Sequence, residues 1–212
     1  FKTDIAAAMG TPSNPGTDAS FVATAQQDYN DFIGLLNMQQ AGEYIFSGTT
    51  VDIAPVDITD PGYAGPFTPP TVVNNSYYQG NTGTQSVPIG DGMSINLGIS
   101  AGSSGFEKAM RAFNLIIDNP GDNVARAEAF DLIDQAISEI TVIRSSVTAN
   151  ASSLAAQKTL LGEEGAFLQE SIADIREVDI AEATLKSQRI ASQLEASYSI
   201  TVRFLNLNLS DY

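Results

Sequence analysis

Ile133, Ile140, Val147, Leu154, Leu161, Leu168 and Ile175 stand at strict seven-residue intervals. Seven residues make almost two whole turns of an α-helix, so these side chains fall on one slowly drifting line, the pattern of long helices packed side by side. Such a helix needs a partner along its length. Around the series Ile137, Ile143 and Ile172 are apolar, but Ala151, Lys158 and Gly165 cannot complete a second seam. The pattern therefore predicts a helix in a bundle, with the seven residues as the core of a helical rod, rather than a free two-stranded coiled coil. Gly162 and Gly165 mark where it is expected to bend or break. A further apolar run, Leu194, Tyr198, Val202, Leu205 and Leu209, follows at spacings of four, four, three and four and predicts a terminal helix.

Upstream, Val22, Ala25, Tyr29, Phe32 and Leu36 recur at three and four. They predict a helix begun near Asp18 or Ser20, either of which can cap free backbone N–H groups, and stopped by Gly42. Between about 44 and 105 the texture changes to Gly, Pro, Thr, Ser and Asn, with short β-type pieces "YIFSGT", "TVVNN", "SYYQG", "QSVPIG" and "MSINLGIS". Turn signals at Asp60-Pro61-Gly62, Asn81-Thr82-Gly83 and Gly90-Asp91-Gly92 divide them. Met93, Ile95, Leu97 and Ile99 alternate with Ser94, Asn96 and Gly98, giving one apolar face. "PGYAGPFTPP" reads as a loop or an edge, since proline cannot donate to a ladder. Helices resume near Phe106, break at Asn119-Pro120-Gly121, and restart with Asp122 or Asn123 as the cap.

The expected fold is mainly α with a β-rich insert: an elongated rod of long antiparallel helices carrying a small β domain at its tip. Its parts are residues 1–43 (N-terminal part of the rod), 44–105 (insert), 106–187 (C-terminal part of the rod) and 188–212 (terminal polymerisation helix). "GEYIFSGT" (Gly42 to Thr49) is where the chain leaves the rod for the tip, with Gly42 and Gly48 setting the turn.

Composition removes most chemistries. Histidine, cysteine and tryptophan are absent, which excludes thiol nucleophiles, disulfides, histidine bases and any zinc site needing Cys or His. Twenty-five acidic residues face ten basic ones, and none of the ten falls between Lys2 and Lys108. Nucleic acid and anionic membrane surfaces are therefore excluded as partners. No apolar run reaches the length of a bilayer span. The chain opens at Phe1 with neither an initiator methionine nor a signal-peptide pattern, as expected of a chain shortened at that end.

Three segments and the closing helix carry a resemblance to the flagellin superfamily. "NMQQAGEYIFSGT" (Asn37 to Thr49) is similar to the segment that follows that family's long N-terminal helices. "YYQGN" with "VPIGDGMSINLGISAGSSGF" is similar to its Tyr-Gln-Gly strand and the following I-x-x-G…F pattern. "LQESIADIREVDIAEAT" resembles the C-terminal signature S-x-I-x-D-x-D-x-A, and "LEASYSITVRFLNLNLSDY" the closing helix. The chain departs from the family in lacking its N-terminal helix and last leucine, and in Arg176-Glu177, which lengthen the interval between Asp174 and Val178-Asp179.

The short insert and "LSDY" favour the hook–filament junction branch over the filament subunit. What this resemblance implies is a structural, non-enzymatic subunit with no cofactor and no bound metal. It also implies an extracellular place in the bacterial flagellum, type III export without a cleaved signal, and a probable export chaperone. Its implied partners are copies of itself, another hook-associated protein and flagellin subunits. In that scheme Leu194, Tyr198, Val202, Leu205 and Leu209 pack between subunits; the plainer alternative buries them within one chain.

Other readings are weaker. Asp57, Asp60 and Asp91 lack the spacing of a calcium loop, and turn chemistry already explains Asp60-Pro61-Gly62. "GISAGSSGFEK" lacks the phosphate-loop lysine pattern, so Ser103 or Ser104 is expected simply to cap a helix. Tyr77 and Tyr78 point to opposite faces of a strand. The outward ring would suit a sugar only on the alternative of a surface-displayed glycan-binding protein.

Overall fold

The computed structural model describes the backbone of residues 1–90 and 92–209, and their side chains except those of Gln85, Leu97, Val178 and 206–209. The described elements run α1 (Lys2–Met9), α2 (Pro15–Leu36), β1 (Gln39–Gln40), β2 (Glu43–Tyr44), β3 (Gln85–Gly90), β4 (Met93–Leu97), α3 (Ser104–Asp118) and α4 (Asn123–Leu209). The chain is mainly helical with small antiparallel β pieces, as the pattern predicts. It divides into two units, Phe1–Leu154 and Ala155–Tyr212.

The first unit is organised by α3, in which ten of fifteen residues are buried. On one side Ala109, Ala112, Leu115 and Ile116 meet Ile5 of α1, Ala25 of α2, and Ala125, Ala129, Leu132, Ile133 and Ala136 of α4. The alanines let helix backbones approach closely. So does Gly105, where an added Cβ would stand 3.0 Å from Glu139 Cβ. On another side Phe106, Met110 and Phe113 pack with Tyr29 and Leu36 of α2 and with Val56, Tyr63, Tyr77 and Ala101 from the insert. The insert thus shares the helices' core instead of closing one of its own.

Strand content in the insert is small. β3 and β4 form an antiparallel hairpin, Gln85 opposite Leu97, with a register shift between Pro88 and Gly90; these are the "QSVPIG" and "MSINL" pieces. Ile95 is buried between exposed Ser94 and Asn96 as the alternation requires, whereas Met93 is exposed. "TVVNN" forms no strand, and "SYYQG" contributes only a bridge, Val56 to Tyr78. The turn residue Asp91 lies outside the described residues.

Several termini differ from expectation. Helix α2 starts at Pro15, with Asn14 as N-cap accepting a hydrogen bond from the Gly16 N–H; proline suits the first helical position because that N–H has no partner anyway. Asp18, one turn in, instead accepts from Arg126 at 2.6 Å. The helix ends at Leu36, so Gly42 does not stop it. Ala41 and Gly42, at φ 55° and 88°, are the two central residues of the β1–β2 hairpin turn, the both-positive geometry that matches strand twist. Asn37, just past the helix, holds the insert: its side-chain amide donates to Val56 O and accepts from Val56 N, both at 2.9 Å. Gly48 is required where two loops cross, since a Cβ would lie 2.1 Å from Asn81 O. Asp122 accepts from Val124 N at the start of α4, as predicted for a cap. Ser103 makes no such bond and donates to Ser100 O instead.

Most buried polar groups described in this unit are hydrogen-bonded, Arg111 Nε and Arg126 Nε being without such a partner. Glu107 and Arg111, both buried, lie one turn apart with Arg111 Nη2 donating to Glu107 Oε2 at 3.2 Å. Together they grip the loop before Tyr77: Arg111 donates to Thr71 O, and Glu107 accepts from Asn74 N. Asn114 donates to the hydroxyls of Tyr29 and Tyr63 at 3.0 Å, and Tyr77 donates to Ala101 O. Burial pushes the hydroxyls of Tyr29, Tyr63 and Tyr77 up from their ordinary value.

Removing one member of the buried pair leaves an uncompensated charge. Glu107→Ala should cost about 3–5 kcal/mol, read as a lower urea midpoint at unchanged slope.

The tyrosines predict an alkaline limit. Folded-state values raised above the unfolded value of roughly 10 give stability that is complete below pH 10 or so and is lost as pH rises beyond it. Phenolate absorbance from these three rings should appear together with loss of the helical signal. Full titration of every tyrosine near pH 10 with helicity intact would contradict this.

Candidate assembly surface

Along α4 the environment changes with distance from its start. Ala125, Ala129, Leu132, Ile133 and Ala136 are buried, and Ile140 and Ile143 are half-buried against the Phe106–Phe113 cluster. Beyond them Val147 is 43% and Leu154 38% exposed. In Ala155–Tyr212 the described part is helix alone, and Leu161, Leu168 and Ile175 are 58%, 52% and 63% exposed. Of the seven residues of the repeat, then, Ile133 and Ile140 pack within the chain, while Leu161, Leu168 and Ile175 face solvent.

The later run behaves alike. Leu194, Tyr198, Val202 and Leu205 are all more than half exposed. Leu209 is helical in backbone, but its side chain lies outside the described residues. The helix is unbroken at Gly162, at Gly165 and at the expected boundary of 187 and 188. A solvated glycine costs a helix about 1 kcal/mol relative to alanine and does not by itself end one.

Periodicity missed part of this surface. Phe167, Ile180, Leu185, Ile190, Ile200 and Phe204 are also exposed. Leu185 precedes Leu194 by nine residues, which at 100° per residue places it half a turn round the helix. The exposed apolar surface therefore covers more than one face. The signal was present as an apolar residue at nearly every fourth or fifth position, but the seven-residue series stops at Ile175 because Glu182 and Arg189 take its next places. A helix apolar on several faces is one meant for burial.

Nothing comparable in chemical equipment accompanies it. Among the described residues no three acidic groups come together to hold a metal ion, and no helix is long and apolar enough to cross a membrane. Asp57 Oδ1 accepts from the N–H and hydroxyl of Thr59, which holds its carboxyl below its ordinary value. Asp60 accepts from Gly62 N in the turn expected there. Tyr77 is fully buried, and Tyr78 spends its hydroxyl on Asn81 O while its ring lies against Gly102. The glycan-binding alternative gains no support.

If this surface serves no purpose within the single chain, polar substitution there should leave chain stability alone. Leu161→Ser and Leu168→Ser should each shift unfolding by no more than about 0.5 kcal/mol. Leu115→Ala in the core should cost about 2–5 kcal/mol in the same thermal measurement.

Residues 130–212 match the family described as bacterial flagellin C-terminal helical region, so the resemblance read from the C-terminal motifs is borne out there. No curated protein sequence is significantly similar to the chain. Solved structures share the fold, two bacterial proteins among them. FlgL of Bacillus cereus superposes with a TM-score of 0.58 at 17% identity, over 77% of this chain and 74% of its own. A protein of Vibrio parahaemolyticus described as a flagellar hook-associated protein gives 0.61 at 14% identity, over 82% and 76%. At such identities the likeness is one of fold.

Proposed function

We propose that this chain, which carries the flagellin C-terminal helical region on a fold shared with two flagellar structures, is a structural subunit of the bacterial flagellum and acts as the adaptor at the hook–filament junction. The observation that carries the reading is the run of exposed apolar residues along α4 from Leu161 to Leu205. Fully burying one such side chain is worth about 1.5–3 kcal/mol, so a subunit that pairs this helix with neighbours gains a large association energy without any change in its first unit. Leu194, Tyr198, Val202, Leu205 and Leu209 are the intersubunit contacts of the terminal segment, and Leu161, Leu168 and Ile175, with Val147 and Leu154 at the end of the first unit, extend the same surface. The junction role, rather than that of filament subunit, is favoured by the short insert and by the names of the two similar structures. Export in an unfolded state and a chaperone that masks the apolar helix belong to the same reading.

Deletion of the gene tests it. Intact hooks with monomeric flagellin released into the medium are the expected outcome. Loss of the filament protein itself, with none secreted, would make the chain the flagellin, and normal motile flagella would overturn the flagellar reading.

Charge adds a second expectation. Copies of formal charge −15 repel one another, and raising salt from about 0.01 M to 0.15 M shortens the screening length from roughly 30 Å to 8 Å. Self-association followed by sedimentation should strengthen over that range; inhibition by salt would show that attraction between charges, not apolar contact, dominates.

A further inference from the structure

Residues 1–154 carry five basic and sixteen acidic residues. Four of the five cations are paired inside the unit: Lys2 with Asp134, Lys108 with Glu139, Arg111 with Glu107 and Arg126 with Asp18. Arg144 is the fifth, and among the described residues it has no ion pair. It lies on an exposed face of α4 beside Thr141, Ser145, Thr148 and Ser152. Each of those hydroxyls donates to the carbonyl four residues earlier, at 2.7–3.0 Å. Their donors are satisfied by the helix itself, so covering this face strands none of them.

A face of matching kind occurs on α2. Thr24, Gln27, Asp31 and Gly34, spaced three, four and three, are all exposed. Thr24 also donates to its own helix, at Ser20 O. Nothing lies within 4 Å of the position a Cβ would take at Gly34. Asp31 is an exposed carboxylate without an ion pair among the described residues. The two strips thus repeat at helical spacing, carry little bulk, and bear one unneutralised charge each, of opposite sign.

We propose that the Arg144 face of α4 docks on the Asp31 face of α2 in a second copy of this chain. The inference rests on the subunit reading above and names a contact within it. In a unit so rich in carboxylates, an arriving copy meets repulsion almost everywhere, and Arg144 is where a carboxylate is welcome. The pair fixes register more than it adds affinity. Because the two faces are different patches, the contact is heterologous, and repetition builds a ring or a helical array instead of a closed pair.

Charge reversal in the full chain tests this, with self-association measured by sedimentation at low salt. R144E and D31R alone should each weaken association about tenfold or more, and the double variant should recover most of that loss. Both positions are exposed, so helical content should match the wild type in all three, and the neutral variants R144Q and D31N should fall between. An R144E chain that associates like wild type would overturn the proposal. So would two weakened single variants that the double variant fails to rescue, or a wild type that stays monomeric at millimolar concentration. The gene deletion reports separately on the flagellar reading, since a chain outside the flagellum could still show the charge-reversal rescue.

Discussion

A fifteen-residue helix with ten buried residues has to be enclosed on every side, and the unit 1–154 is arranged around that requirement. One side of α3 is closed by helices, and alanine supplies most of the contact because the backbones run close. Another is closed by aromatic rings from α2 and the insert, with Phe113 touched by Phe1, Tyr29 and Phe32 at centroid distances of 4.2–5.7 Å. The insert has little ladder hydrogen bonding to hold itself together, so it depends on α3 as much as α3 depends on it. Side chains on the helices and at their ends take over the work of a sheet: Asn37, Glu107 and Arg111 each bond to the backbone of the irregular segment 55–75.

This division of labour explains why charges are buried at all. Taking Glu107 and Arg111 out of water is costly, and hydrophobic replacements of similar volume are often no less stable. Here the pair supplies directional bonds to two points of a loop whose own residues, Thr71 to Asn74, offer few apolar contacts, and Val72 and Val73 between those points remain exposed. The chain is held where its backbone is gripped.

What the sequence made legible follows from range. The helix signalled by the seven-residue series, the hairpin 85–97 and the cap at Asp122 depend on neighbours within a few residues and are present, whereas Leu161, Leu168 and Ile175 of that series are exposed. Gly42 was assigned to a helix end because a left-handed glycine serves a helix stop and a hairpin turn equally well, and the deciding fact, Asn37 bonding to Val56, lies nineteen residues away. The buried partners of Arg126 and the packing of Tyr63 on Asn114 are longer in range still. Along α4, periodicity located one line of residues and passed over Leu185 and Phe204, because the exposed apolar residues fall on more than one face.

The distribution of charge bears on where association begins. Residues 155–212 hold five basic and nine acidic residues, a formal −4, against −11 for residues 1–154. Per residue the two are nearly equal, so weaker repulsion does not single out the segment whose apolar side chains are most exposed. An isolated helix is marginal in water even when its residues favour it, and this one has two glycines and many exposed β-branched residues. Its apolar faces gain most from being covered. What favours covering that helix is therefore its apolar area and not a weaker charge.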